Sequence, residues 1–368
     1  MTDKDIEYMK MALELAKKGR GRTNPNPMVG AVIVKEGRII GQGYHERCGE
    51  GHAEVNAFAS CTEDPAGADM YVTLEPCSHY GKTPPCADLV IKKKIKKVYI
   101  GSLDPNPLVA GRGVRKLEEA GIEVESGILD DEVRKLNEIF MHYIKDKNPF
   151  VLLKFAMSLD GKIATGTGQS QWISCEKSRE QVHLLRNQYM AIMVGIGTVL
   201  ADDPSLTCRM DGGRNPIRII ADSHLKIPLD AKVLKDQAEA KTIIVTADGN
   251  EERKAALEQM GIEVLRCKGT DGEVDINMLM SILGKRGIDS VLVEGGGILN
   301  DAVLRSGEAD KVMCFVAPML IGGKDAKGPV LGRGFAALND ALRLDDFAAE
   351  MIGSDICISG RVRKCLQE

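Results

Sequence analysis

Apolar runs alternate with amphipathic stretches along the whole chain, and one proline-bearing break divides the series in two. Residues 5–18 place Ile6, Met9, Leu13 and Ala16 near one helical face. Residues 29–34 (VGAVIV) are continuously apolar and run into a turn, which predicts a buried strand with 39–43 as its hairpin partner. Helices are predicted over 52–60, after Cys86 and over 112–120, and strands over 69–73, 98–101 and 122–125. A single helix is predicted over 131–145. It runs into DKNP (residues 146–149), where proline disfavours helix in the residue before it. A new strand, 150–156, begins at once, and others are predicted at 189–196, 217–222, 242–246, 262–266, 288–294 and 312–317. Alternation of this kind implies sheets covered by helices, an α/β architecture. Two domains are expected, 1–146 and 147–368, which suits 368 residues at roughly 150 per domain.

Composition narrows the function. The net charge is −4 and aromatics are 4% of residues. Grip on a phosphate backbone calls for a basic excess or face, and single strands call for stacking platforms. No nucleic-acid partner is therefore expected. The five lysines within 92–97 read as a helix C-terminus, where cations suit the macrodipole. No apolar run approaches the ~20 residues of a membrane helix, and the first ten residues have no apolar signal core. A cytoplasmic protein without a membrane partner is expected. Ten cysteines are too sparse for a disulfide scaffold in a chain this long, so they are expected to be reduced thiols unless some bind metal.

The first chemical constellation is His52-Ala53-Glu54 at a helix start, then Pro76-Cys77, then Cys86 after eight intervening residues. Taken singly these are a core histidine and two incidental thiols. Together, one imidazole and two thiolates make three zinc ligands, leaving the open position that a catalytic site keeps for water. Glu54 can stay near such a metal without binding it and shuttle protons. Helix starts at His52 and near Cys77 would favour thiolate. His-x-Glu followed by Pro-Cys marks zinc-dependent nucleobase deaminases, although their second cysteine usually follows after two residues, not eight.

That longer loop, TLEPCSHYGKTPPC (73–86), resembles the deaminase domain of the bifunctional riboflavin-biosynthesis deaminase–reductase family, as do RTNPNPMVGAVIV (22–34), HAE (52–54) and DPNPLVAGRG (104–113). The resemblance covers nearly all of 5–145. It implies a cytidine-deaminase-like three-layer α/β/α domain, with zinc on His52, Cys77 and Cys86 and Glu54 as proton shuttle. It also implies that Asn24 and Lys82 hold the substrate, a phosphorylated diaminopyrimidine. As a bare residue, Lys82 is equally a surface loop lysine. His79 is expected beside the ligands or facing substrate, since the three-ligand set is complete.

In the second half, Gly195-Ile196-Gly197 lacks the third glycine of a Rossmann fingerprint. A strand ending at Glu294, then Gly295-Gly296-Gly297 and a helix, is either a plain turn or a pyrophosphate cradle. KFAMSLDGKIA (154–164), SQWIS (170–174), VGIGTVLADDPSLTCR (194–209), VEGGG (293–297) and APMLIGG (317–323) resemble the reductase domain of the same family, in the correct order. The fold implied is dihydrofolate-reductase-like, and the reaction implied is NADPH-dependent reduction of the sugar chain. Ala156, Trp172, Thr198, Asp202, Ser223, Gly296 and Gly297 are then expected to touch NADPH. Ser170, Arg186, Leu206, Arg209 and Glu294 are expected to touch substrate, the arginines through its phosphate. Lys154 is expected to be catalytic, although Lys154 and Glu294 could each steer a proton. Asp160 is as readily a turn-former. A homo-oligomer is expected. The rival reading is a nucleoside or tRNA deaminase with an unrelated C-terminal domain.

Overall fold

The computed structural model describes residues 2–78, 84–106, 110–247 and 249–363. The chain divides into two units, Met1–Lys147 and Asn148–Glu368.

In the first unit, helix α1 (Asp3–Lys17) opens with a capping box. Thr2 Oγ1 accepts from the Asp5 amide at 3.3 Å, and the Asp5 carboxylate accepts from the Thr2 amide at 2.6 Å. Strands β1 (Gly30–Lys35) and β2 (Arg38–Tyr44) form the expected antiparallel hairpin. β1 also pairs antiparallel with β3 (Asp69–Leu74), and β4 (Lys97–Ser102) and β5 (Glu123–Ser126) extend the sheet in parallel, giving the order β2-β1-β3-β4-β5. Side chains leave a strand alternately on its two faces. Ala31 and Ile33 therefore pack with Ala57 of α2 (Ala53–Ala59), Val90 of α3 (Cys86–Lys92) and Leu117 of α4 (Arg112–Glu119). Val32 and Val34 turn the other way, to Met9 and Ala12 of α1. The result is the three-layer α/β/α sandwich. Gly43 lets α2 close on β2, since a Cβ there would stand 2.3 Å from the Ala57 amide nitrogen.

The single helix predicted over 131–145 is two, α5 (Asp130–Leu136) and α6 (Glu138–Asp146). Asn137 breaks it. Its side chain accepts from the Met28 amide at 2.8 Å and donates to the Met28 carbonyl at 3.0 Å, both buried, so its backbone leaves helical geometry. The lysine run spans the end of α3, a turn and the first residue of β4, where Lys97 lies over the Tyr99 ring and bonds Glu125 at 2.9 Å.

The second unit is built on β6 (Phe150–Ser158), β7 (Ala191–Gly195), β8 (Ile217–Ala221), β9 (Thr242–Thr246), β10 (Glu263–Arg266), β11 (Ser290–Val293) and β12 (Lys311–Ala317), all parallel. An antiparallel hairpin absent from the sequence reading, β13 (Leu344–Ile352) and β14 (Asp355–Val362), completes nine strands in the order β10-β9-β8-β7-β11-β6-β12-β14-β13. The helices are α7 (Glu176–Gln188), α8 (Ile196–Asp202), α9 (Glu251–Gln259), α10 (Ile276–Lys285) and α11 (Gly297–Arg305). α10 and α11 bury Leu279, Leu283 and Val303 on one face of the sheet, and α8 and α9 bury Val199 and Leu257 on the other. In such sheets ligands bind beyond the carboxyl ends of the strands.

Candidate active sites

His52 caps α2 in extended backbone, so its ring projects from the helix start while Glu54 lies inside the first turn. Cys86 is the first residue of α3, and Cys77 lies in the loop that follows β3, not at a helix start. His52 Nδ1 stands 3.3 Å from Cys86 Sγ and 3.7 Å from Cys77 Sγ, and the three donor atoms lie within 4.8 Å of one another. Bonds of about 2.3 Å to sulfur and about 2.0 Å to nitrogen around a tetrahedral ion separate such donors by roughly 3.5 Å. The trio therefore fits zinc, and among the described residues no further His, Cys, Asp or Glu joins it.

The charges suit that reading. Hydrogen bonding with Cys86 leads the causes that hold the Cys77 thiol below its ordinary value, and the same bond pushes Cys86 up. Hydrogen bonding to Cys77 also raises His52. Glu54 is 3% exposed, and burial, aided by Cys77, raises its carboxyl to about 7. Such a group can both take and return a proton at neutral pH. Asn24 lies in the loop between α1 and β1. Two residues on, Asn26 meets His45 at 3.2 Å, and the buried His45 ring stands edge-on to His52 with centroids 5.4 Å apart. That loop is thereby tied to the trio. Lys82 and His79 lie outside the described residues.

In the second unit, Lys154 of β6, Glu294 just past β11 and Arg186 of α7 form one cluster. Glu294 accepts from Arg186 Nε at 2.8 Å, from its Nη2 at 3.1 Å and from Lys154 Nζ at 3.4 Å. Burial opposes ionisation of Glu294, but the two cations outweigh it and hold the carboxyl at about 2. Arg186 also donates to the Thr207 carbonyl at 3.0 Å. Arg209 reaches the ring of His183, one turn before Arg186 on α7. Burial, with Arg186 and Arg209 nearby, lowers His183 to about 4, which keeps it neutral. Leu206 is buried in the core, so its side chain packs there and does not face a substrate.

Thr198 and Gly296 sit side by side, a Cβ on Gly296 falling 3.5 Å from Thr198 Oγ1. They belong to the starts of α8 and α11, which follow β7 and β11, adjacent strands. Both helices have glycine, Gly195 and Gly296, at the N-cap, which offers no side chain of its own to the first amides. Gly297 opens α11 and Ala156 lies on β6. Ser170 donates to Asp202 at 3.3 Å. Ser223 stands past the end of β8, its hydroxyl accepting from the Val274 amide. Trp172 is 61% exposed, which rules out a core-packing role, and Arg179 stacks over it at 4.9 Å. Asp160 joins two loops, accepting from the Ser158 hydroxyl and the amides of Ile321 and Gly322. Arg179 and His183 escaped the sequence reading. Their signal was helical spacing, since 179, 183 and 186 share one face of α7.

Comparison with known proteins finds matches in both parts of the chain. The family model for the RibD C-terminal domain matches residues 149–358, and that for the cytidine and deoxycytidylate deaminase zinc-binding region matches residues 2–102. The riboflavin biosynthesis protein RibD of Actinobacillus pleuropneumoniae is 50% identical over 354 residues, 96% of this chain and 94% of that protein. Its Bacillus amyloliquefaciens counterpart is 48% identical over 351 residues, 95% and 94%. Solved Acinetobacter baumannii RibD (form 1) aligns with TM-score 0.87 at 38% identity, over 98% of this chain and 99% of that one. The Thermotoga maritima diaminohydroxyphosphoribosylaminopyrimidine deaminase/5-amino-6-(5-phosphoribosylamino)uracil reductase aligns with TM-score 0.84 at 41% identity, over 98% and 99%. The C-terminal match removes the rival reading of a deaminase with an unrelated second domain. The chain belongs to the RibD family of riboflavin biosynthesis, bifunctional enzymes that join a zinc-dependent, cytidine-deaminase-like domain to an NADPH-dependent reductase domain.

Proposed function

We propose that residues 1–146 deaminate 2,5-diamino-6-(5-phosphoribosylamino)pyrimidin-4(3H)-one to 5-amino-6-(5-phosphoribosylamino)uracil, and that residues 147–368 reduce the ribosyl chain of that product to ribityl. The observation that carries the first step is the three-donor trio beside a buried carboxyl poised near 7. His52, Cys77 and Cys86 hold zinc, which when bound supplies Lewis acidity and makes a water acidic near neutral pH. Glu54 takes a proton from the attacking water and passes it to the departing amine. A C–O bond forms, the C–N bond at the 2-position breaks, and ammonia leaves. Asn24 and Lys82 hold the substrate.

For the second step NADPH supplies the hydride, held by Ala156, Trp172, Thr198, Asp202, Ser223, Gly296 and Gly297. The sugar opens so that C1 is double-bonded to nitrogen, and reduction adds hydride to C1 and a proton to nitrogen. Lys154 delivers the proton. Glu294 is kept as a carboxylate by its two cations and has none to give, so its part is to orient Lys154 and Arg186. Arg186 and Arg209 receive the phosphate, with Ser170 and the Leu206 backbone beside them. A cytoplasmic homo-oligomer accords with the absence of any described helix able to cross a membrane and with β13, an edge strand whose Phe347 and Met351 are 64% and 66% exposed.

The test is a coupled assay on the diaminopyrimidine that scores ammonia, NADPH and metal together. Zinc-dependent ammonia release matched by equal NADPH loss is expected. Robust turnover of cytidine or adenosine, with none of the diaminopyrimidine, would overturn the proposal.

A further inference from the structure

We infer that Glu75 is a positioning residue for the zinc donor Cys77, acting as a remote cap that ties the start of α4 to the end of β3. The inference rests on the reading of His52, Cys77 and Cys86 as zinc ligands.

The first amides of a helix have no partner within it. α4 is preceded by Gly111, in left-handed backbone (φ 69°) and with no side chain of its own to cap the helix. Its amides are taken instead by a carboxylate from far earlier in the chain. Glu75 Oε1 accepts from Gly113 at 2.9 Å and Val114 at 3.3 Å. Glu75 Oε2 accepts from Gly111 at 3.0 Å and from Asp104 at 3.2 Å. Four backbone donors thus converge on one side chain that is 4% exposed. Negative charge at a helix start also suits the macrodipole.

This clamp adjoins the zinc trio. Glu75 itself donates its amide to the Ser102 carbonyl of β4 at 3.0 Å. Pro76, the next residue, touches α4 directly, for a Cβ on Gly113 would stand 2.2 Å from the Pro76 carbonyl oxygen. Cys77 follows. On its far side the Cys86 amide donates to its sulfur at 3.3 Å and the Ala87 amide to its carbonyl at 3.1 Å. The sulfur is therefore held between two fixed points, the start of α3 and the Glu75–Pro76 corner. Only a carboxylate of this length serves, since glutamine would turn an NH2 group toward two amide donors.

The test uses the full-length, zinc-loaded protein and E75Q. Zinc transfer to a chromogenic chelator and amide exchange by mass spectrometry are followed together. E75Q is expected to release zinc about 10- to 100-fold faster, the usual scale for losing support behind a metal ligand. Amides of 104–106 and of the first turn of α4 should exchange faster, with β3 and β4 still protected. Faster α4 exchange with zinc release at the wild-type rate would overturn the inference, leaving Glu75 a helix cap alone. Lost protection across β3 and β4 would also overturn it, making Glu75 a support of the whole fold. G113A presses a methyl on the Pro76 carbonyl and on the Glu75 side chain while keeping its charge, so faster zinc release is expected there too, and a wild-type rate would contradict the inference. Wild-type protein that takes up no zinc would instead sink the ligand assignment beneath it.

Discussion

Surroundings give three carboxylates three different tasks. Burial lifts Glu54 to about 7, where it can exchange protons. Glu294 is partly buried, yet Arg186 and Lys154 outweigh its desolvation and hold it at about 2. Asp160 is exposed and reaches about 2 through the Ser158 hydroxyl and two loop amides, so it fastens loops. E54Q should keep zinc, measured by metal content, while ammonia release falls by about 10²–10⁴, the usual worth of general acid–base catalysis; near-normal turnover would remove Glu54 from the reaction. E294Q leaves the partly buried Arg186 without its counter-charge and should cost the second unit about 2 kcal/mol at pH 7, read by urea unfolding. Because the folded value is depressed, this stabilisation is complete above the ordinary 4.5 and is lost only as pH falls through about 2. Glu294 should therefore leave no limb in a reductase pH profile between 5 and 9. R209A should raise KM for the reductase substrate and spare ammonia release, and equal loss of both steps with the fold intact would contradict two separate sites.

Among the elements, those packed into a core were legible. The alternation in β1 sends Ala31 and Ile33 to one core and Val32 and Val34 to the other, and a run of that kind announces itself. β13 is exposed along nearly its whole length, so it carries no apolar period to read. The break at Asn137 was hidden for another reason. Its partner, Met28, lies 109 residues away, and no local pattern reports such a bond. The meeting of His52, Cys77 and Cys86 was legible because residue type and motif carry it, whereas the hold of His183 on Arg209 exists only once α7 is formed. N137A removes both buried bonds to Met28 and should cost the first unit about 2 kcal/mol. The readout is amide protection in β3, which should fall while that in β11 stays unchanged.

At the scale of the whole molecule, each unit has its own sheet, its own cores and its own chemistry. Everything proposed for the first reaction lies before residue 147, and everything proposed for the second lies after it. The domain sizes are ordinary for independent folding units. Zinc removal tests this division most directly. Chelator-treated protein should release no ammonia from the diaminopyrimidine, yet oxidise NADPH on 5-amino-6-(5-phosphoribosylamino)uracil at the untreated rate, and added zinc should restore ammonia release. Loss of both activities on zinc removal, or of neither, would contradict the account.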